Sequence, residues 1–594
     1  MAHQDLDDAA LRGVGGAPVT GPALVAATAA RRLLPLADLA LPDVGAAVSW
    51  WGPAEGPAGR PGSEVAVQAA CGLMEVNGRD GAAPRRLGLE AASVAAGILA
   101  AQGVLAAGVA AARGRPVRGV RTSVLQAGLL LLSHYFVVAT ALGDAVPGPA
   151  LPAPGPPFRS ADGQLFEIET LDPEAWKELW ARLGAGQADL GRGWTVFRWR
   201  YERAACSLPA GLHEAAGRHS FDELSEACRA SGVSIMAVRG YAVPGPWQAA
   251  DGLPAVRPLG GAVDGPAGGA GTTEAPLEGI RVVEATSRVQ GPFAGMLLGM
   301  LGADVVRVQP PEGDYGRAAQ TLHRGKATVT LDLGSPSGRT ELGRLVGDAD
   351  VFLHNWRPGR AEEWGLGPAE LGRGHPGLVY AELSGWGDGP EVPDALGTDF
   401  LVQAATGLAD GLNPEGDPAV PSRIILSDLF GGLVGAEGVL AGLCRRARQG
   451  GSWRVASSLL TGAMALQAHV VEGLSPALNG GRRQGRPVWG PLDRPLPTAD
   501  GWLAVSTGDG GALRRLCSAF GIGAGSGRAA VEAAVASALG RDTASAGVAR
   551  LLEAGVPGAV VAGDLALVAA DPALAVLFEP AGGGSVPRSP WEFE

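Results

Sequence analysis

The chain repeats itself at a fixed offset. Adding 335 to a residue number in the first half lands on its counterpart: Ser49, Trp51 and Gly52 become Ser384, Trp386 and Gly387, and His134 becomes His469. VQAACGL at 67–73 becomes VQAATGL at 402–408, and the register runs without a gap from about residue 44 to about residue 134. Chance matching of Ala/Gly-rich sequence does not place Trp, Gln and His in one frame. A second matched pair lies further on, SADGQLFEI (160–168) with TADGWLAVS (498–506) and SGVSIMAVRG (231–240) with AGVPGAVVAG (554–563). A duplication restricts the fold, because whatever buries the repeated apolar face of one copy has its equivalent in the other. The length, 594 residues, already argues for more than one domain.

The copies are unequal. The second opens with LEGIRVVEATSRVQGPFAGMLLGMLGADVVRVQPP and continues through HRGKATVTLDL and ADVFLHNWRPG, for which the first has no counterpart. Between them, PAVRPLGGAVDGPAGGAGTTEAPL is rich in Gly, Ala and Pro and reads as a linker. The expected division is a truncated copy at 1–253, a linker at 254–277 and a full unit at 278–594.

Composition excludes several classes. Lys and Arg number 48 against 60 Asp and Glu, a net charge of −12 that gives no support to nucleic-acid binding. Cys71, Cys206, Cys228, Cys444 and Cys517 are scattered without a CxxC pair, which suits a reducing, cytoplasmic setting and no structural zinc. The opening MAHQDLDDAALRG lacks the basic and apolar regions of a signal peptide. VLQAGLLLLSHYFVVATAL (124–142) is long enough to span a bilayer, but Gln126, Ser133 and His134 interrupt it. Its counterpart, LLTGAMALQAHVVEGL, is an ordinary globular helix, so no membrane is expected.

The second copy starts as a βαβ unit: strand IRVVEA, a short loop, helix FAGMLLGMLGA and strand DVVRVQ. TVTLDL, DVFLHNW and LVYAELSGW continue the alternation. The fold class is therefore α/β, a Rossmann-like parallel-sheet large domain with a smaller α+β domain, internally duplicated with an incomplete first copy. The loop SRVQGPFAG is not the dinucleotide fingerprint, and GxSxG, GxxxxGK[ST], HExxH and Cys/His clusters are absent. No metal site is expected.

Six ordered blocks carry a resemblance: LEGIRVVEATSRVQGPFAGMLLGMLGADVVRV, RGKATVTLDL, NWRPG, LSGWGDGP, GTDFLVQAATG and SDLFGG. Together they resemble the family III CoA-transferases, relatives of formyl-CoA and carnitine CoA-transferases and of α-methylacyl-CoA racemase. The resemblance is strong over 278 to about 475; residues 41–136 resemble only the middle of the same family. It implies a large domain built from both chain ends and a smaller middle domain, in chains that pair as interlocked rings. Acyl-CoA and small carboxylic acids are implied as substrates, with no permanently bound cofactor.

The resemblance makes Asp428 the catalytic carboxylate. With an unperturbed carboxyl pKa near about 4, such a residue is an ionised nucleophile at neutral pH, and a covalent relay divides a difficult exchange into easier steps. Gly431 and Gly432 beside it would admit the backbone donors an oxyanion needs. Read locally, the same aspartate would cap the helix that follows. Asp399 of GTDF is a second carboxylate for the site, or a turn residue. Racemases of the family carry His just before it; here Thr398 cannot serve as that base.

CoA carries phosphates, which need cations and backbone donors. By motif, Val289 and Gln290 would line the thioester, Lys326 the nucleotide, and Asn355 the pantetheine or adenine end. Arg307, Arg317, Arg324 and Arg357 are the nearby basic candidates, with solvated surface charge as the alternative for each. Glu363 stands where formyl-CoA-transferase-like members place a phosphate-binding Arg, and NGGRRQGRP (479–487) matches their glycine flap only in part.

In the first copy Ser93 occupies the position of Asp428, and Glu90 lies out of register. That half reads as a pseudo-catalytic partner fused in cis, packing on the second as a pseudo-dimer, with further homo-oligomerisation open. Three functions follow: CoA transfer between carboxylic acids, another acyl-CoA conversion such as racemisation, or non-catalytic acyl-CoA binding. Intact Asp428, QGP and RGK segments argue against the last.

Overall fold

A computed structural model describes residues 19–20, 24–37, 44–54, 61–81, 83–141, 154–241, 252–260, 274–313, 321–388, 393–471, 482–483, 486–508, 511–523, 526–581 and 583–594. The first half lays down strand β1 (Val19–Thr20), helix α1 (Leu24–Leu33), β2 (Gly45–Ser49), α2 (Glu64–Ala70), α3 (Ala91–Ala112) and β3 (Gly119–Ser123). A small antiparallel sheet of β4 (Phe158–Arg159), β5 (Leu165–Glu169) and β6 (Ser234–Ala237) follows, with α4 (Arg200–Arg203) among the helices between β5 and β6. Strand β7 (Ala255–Gly260) ends this half.

The second half contributes β8 (Arg281–Ala285), α5 (Gln290–Met300), β9 (Asp304–Gln309), β10 (Ala327–Thr330), β11 (Val351–His354) and β12 (Val379–Ser384). Then come α6 (Asp399–Ala405), α7 (Leu426–Gln449) and β13 (Ser452–Ser458). A second small sheet, β14 (Leu496–Pro497), β15 (Trp502–Val505) and β16 (Gly558–Val560), precedes the terminal strand β17 (Glu592–Phe593).

The four strands of the first large sheet match the last four of the second. The second half has the order β10-β9-β8-β11-β12-β13-β7, the first β1-β2-β3-β17. Thus β1-β2-β3 corresponds to β11-β12-β13, and the described part of the first sheet has no equivalent of β8, β9 and β10. Each sheet is finished by the last strand of the other half. Strand β7 runs antiparallel to β13, with Val455 opposite Val256, and β17 runs antiparallel to β3, with Val120 opposite Phe593. The stretch read as a linker therefore begins as a sheet strand. AVRPLG hides that role, since Pro258 breaks the apolar alternation, yet at a sheet edge it removes no needed donor. Residues 261–273 lie outside the described residues.

Helices α3 and α7, counterparts at the 335 offset, lie against each other in a core drawn from both halves. Their faces are apolar all round, as helices buried on every side must be; each is long and apolar enough to cross a membrane, and 94% of the apolar window of each is buried inside the protein. The run 124–142 instead divides at Leu132 into helices Val124–Leu131 and Ser133–Thr140, where the Ser133 hydroxyl turns back to donate to Leu130 O at 2.6 Å. Each small domain has its own core and docks on the opposite half. Arg239 N donates to Ala404 O of α6, and Ala562 N to Ala69 O of α2, both at 2.9 Å. Ala404 and Ala69 are themselves partners in the repeat.

Candidate active site

Asp428 lies in the first turn of α7, but it does not cap that helix. The cap comes from across the fold: Asp399, fully buried at the start of α6, accepts Asp428 N–H on Oδ1 at 3.1 Å and receives Ser427 N–H as well. Its other oxygen takes Gln403 Nε2 at 2.6 Å, and Gln403 is fixed in turn by Ser422 N–H at 2.9 Å. With its backbone held from below, Asp428 directs a half-buried side chain into a cavity of about 850 Å³.

The first half preserves the support but carries Ser93 in place of Asp428. Glu64, at the position of Asp399, accepts Ala92 N–H at 3.0 Å and Ser93 N–H at 2.8 Å, and Gln68, at the position of Gln403, donates to it at 3.0 Å. Ser93 turns its hydroxyl inward onto Glu64 at 2.6 Å. Helix α1 covers this site much as α5 covers the other. A Cβ on Gly97 would meet Ala26 O of α1 at 2.2 Å; on its counterpart Gly432 it would meet Gln290 O of α5 at 2.7 Å. Glycine at Gly431 and Gly432 thus lets helix α5 come close. Glu90, out of register with Asp428, is paired with His469 Nε2 at 2.6 Å.

Both halves line the cavity. Ser287, Arg288, Gln290, Asn355, Arg357 and Asp428 come from the second half; Thr170, Leu171, Asp172, Gly232 and Ser234 come from the small domain of the first. Asn355 fixes the loop before α5, donating to Ser287 O at 2.8 Å and accepting Ser287 N–H at 2.9 Å. The next residue, Arg288, has φ +68°, the left-handed region that costs a side-chain-bearing residue about 1–2 kcal/mol. The side-chain amide of buried Gln290 finds no acceptor for Nε2 among the described residues and lies against Gly431, while the backbone N–H of Gln290 donates to the Asp428 carboxylate.

Burial, and secondarily the negative charge of Glu169, push the Asp428 carboxyl up to about 7; the Arg288 guanidinium and the backbone N–H of Gln290 pull against that rise. This corrects the expectation of an ordinary carboxylate ionised far below neutrality. For Asp399, burial and then the adjacent Asp428 charge raise the carboxyl well above its usual range, against the hydrogen bonds it accepts.

The other proposed binding residues divide sharply. Gln290, Asn355 and Arg357 reach the cavity, and Arg357 is exposed at its rim. Val289 packs against the core beside them. Lys326 does not face the cavity: its ammonium lies 2.7 Å from Glu284 Oε2 and 2.8 Å from Pro292 O, with both ionic side chains 1% exposed. Arg307 is buried on β9, in register with Glu284, and Arg324 lies 3.6 Å from Glu579 Oε1. Arg317 and most of the 479–487 flap fall outside the described residues. Glu363 pairs with Arg360 at 2.9 Å. No cluster of three metal-ligating side chains occurs among the described residues. Arg288 stood in the sequence beside QGP and was legible there; the first-half residues had no local signal, being brought to Asp428 only by the docking of a small domain.

The chain is 31% identical over 274 residues to the succinate–glutarate CoA-transferase of Agrobacterium fabrum, covering 42% of this chain and 67% of that one. Over 187 residues it is 36% identical to the human α-methylacyl-CoA racemase, covering 31% and 48% respectively. A crystal structure of a CAIB/BAIF family protein from Brucella suis matches 53% of this chain and 92% of that one, with 27% identity and a TM-score of 0.45. The pattern of CoA-transferase family III matches twice, at 44–248 and 277–576. The protein is a transferase and belongs to CoA-transferase family III, whose pattern it matches in two successive segments.

Proposed function

We propose that the chain moves CoA from an acyl-CoA to a carboxylic acid through Asp428. The observation that supports this reading is a carboxylate in the first turn of a buried helix, open to a large cavity and taking a hydrogen bond from the backbone N–H of Gln290. The Asp428 carboxylate attacks the thioester carbonyl, the C–S bond breaks, and a mixed anhydride forms as CoA thiolate leaves. The thiolate attacks the aspartyl carbonyl, releasing the donor acid and leaving an aspartyl-CoA thioester. The acceptor carboxylate opens that thioester, giving a second anhydride, and the thiolate then takes the acceptor's acyl group and frees Asp428. Each step passes through an oxyanion, and we assign Gln290, on the same cavity wall, as the residue that supplies a donor to it.

In this reading the first half is the fused stand-in for a second subunit, and CoA enters as substrate rather than as a resident cofactor. Racemisation is disfavoured because Thr398, on the cavity wall before Asp399, offers only a hydroxyl. Buried, unpaired thiols at Cys71, Cys206, Cys228 and Cys444 suit a reducing cytoplasm.

The test is trapping. Incubation with a panel of acyl-CoAs and hydroxylamine should convert Asp428 to a hydroxamate, located by peptide mass. Asp428→Asn, which keeps the side-chain shape, should lower transfer on the order of a thousandfold or more while leaving the melting temperature near wild type. Undiminished transfer in that variant would remove Asp428 from the chemistry.

A further inference from the structure

Glu169 ends β5 in the small domain of the first half, and the next three residues, Thr170, Leu171 and Asp172, form cavity wall. Its side chain is fully buried. One carboxylate oxygen takes Arg200 Nη2 at 2.7 Å and the other accepts the Tyr201 hydroxyl. The Tyr201 ring stacks on Phe400 with centroids 4.8 Å apart at 9°. Phe400 is the second residue of α6, the helix whose first residue, Asp399, holds the backbone of Asp428. A rigid chain of contacts therefore joins the Glu169 charge to the seat of the nucleophile, from one half of the protein to the other.

The opposite small domain lacks this device. Glu169 lies opposite Ser234 across its sheet; in the other sheet the same place is held by Ser506, which bonds Pro557 O, and no carboxylate follows it at Thr507. The domain without a carboxylate at this strand position is the one docked on the Ser93 half. The buried charge thus accompanies the half that retains Asp428.

We propose that Glu169, clamped by Arg200 and Tyr201, is a positioning residue lent by the first half, whose fixed negative charge offsets the cationic side of the Asp428 site. The helix N-terminus, the Gln290 N–H and Arg288 all stabilise the Asp428 carboxylate, and a carboxylate held too firmly is a weak nucleophile and a slow acyl acceptor. A charge behind the wall keeps it basic without occupying the cavity. It also repels the donor acid as that acid leaves as an anion. The inference rests on Asp428 being the nucleophile.

The groups around Asp428 include Asp399 below it, Arg288 beside it, the buried Tyr135 and Glu169 with its two clamps behind the wall; Asp172, Arg357, Arg360 and Asp394 stand further round the cavity. Titration of Asp428 can be read without substrate, in the full chain, from the pH dependence of its labelling by a water-soluble carbodiimide, which takes protonated carboxyls. Wild type should lose labelling as pH rises through about 7. In Glu169→Gln that midpoint should fall by about half to one pH unit. In Tyr201→Phe, where Glu169 loses a donor, it should rise. A midpoint unchanged from wild type in whichever of these variants melts like wild type would reduce Glu169 to a structural ion pair and overturn the proposal. Hydroxamate trapping on wild type separates the two readings: without an Asp428 adduct, the nucleophile assignment fails whatever the carbodiimide result, and this inference falls with it.

Discussion

Lys326 and Glu284 form an ion pair sealed beneath α5, away from any solvent-filled space. Removing one member of such a pair leaves the other charged and unpaired in a low-dielectric setting. Lys326→Ala should therefore destabilise the protein by about 3–5 kcal/mol, seen in urea melts, whereas Lys326→Met combined with Glu284→Gln should recover most of that loss. If the single variant instead kept wild-type stability and raised the apparent KM for acyl-CoA, Lys326 would be a phosphate ligand after all. The contrast shows what a motif conveys. RGK announces a cation at a fixed distance along the chain; it does not say which carboxylate will claim it. Asp428 and Gln290 were singled out by the short motifs that hold them, SDLFGG and QGP, and both line the cavity. The charge state of Asp428 was not legible in them, since it depends on burial and on Glu169, far away in the chain.

At the level of elements, the crossing of α3 and α7 carries an inequality inside its symmetry. Gln102 and Glu437 are counterparts at the 335 offset, and both are fully buried. Gln102 donates to Leu433 O at 2.7 Å, but neither oxygen of Glu437 has a hydrogen-bond partner among the described residues, and burial pushes its carboxyl far above the usual range. Folded protein keeps that proton while unfolded chain gives it up above about pH 4.3. The stability Glu437 contributes is complete below that pH and is lost as pH rises towards its folded value. Glu437→Gln, which does not titrate, should gain on wild type by about 1.4 kcal/mol for each pH unit above about pH 5, for as long as the folded carboxyl keeps its proton, in denaturant melts. A difference that stays constant with pH would show that Glu437 has a partner. The repeat register foresaw the equivalence of the two helices. It could not foresee the exchange of β7 and β17, because β7 is interrupted by Pro258 and β17 is two residues long, so neither leaves a periodic trace.

Across the whole molecule, α7 is covered by α3, each large sheet is completed by the other half, and the Asp428 cavity is walled by a first-half small domain. Residues 278–594 produced alone would expose one face of α7 and leave a sheet edge unpaired, a combination that leads to aggregation. That fragment should be insoluble or inactive, and coexpression with residues 1–260 should yield a soluble, active two-chain complex on gel filtration. An active, monodisperse 278–594 fragment would show that the first half is dispensable. The duplication was readable from the register alone; which half closes which site was not, because nothing in a linear repeat distinguishes docking on oneself from docking on one's copy.

The unlike small-domain strands have a consequence for how such a protein can change. In an assembly of two identical chains every substitution is made twice, so a residue that helps beside one site must also be tolerated wherever its twin falls. Once both partners are written into a single reading frame that constraint lifts. Glu169 on one side and Ser506 on the other are divergent answers to the same position, a division of labour between siblings that a symmetric pair could never inherit.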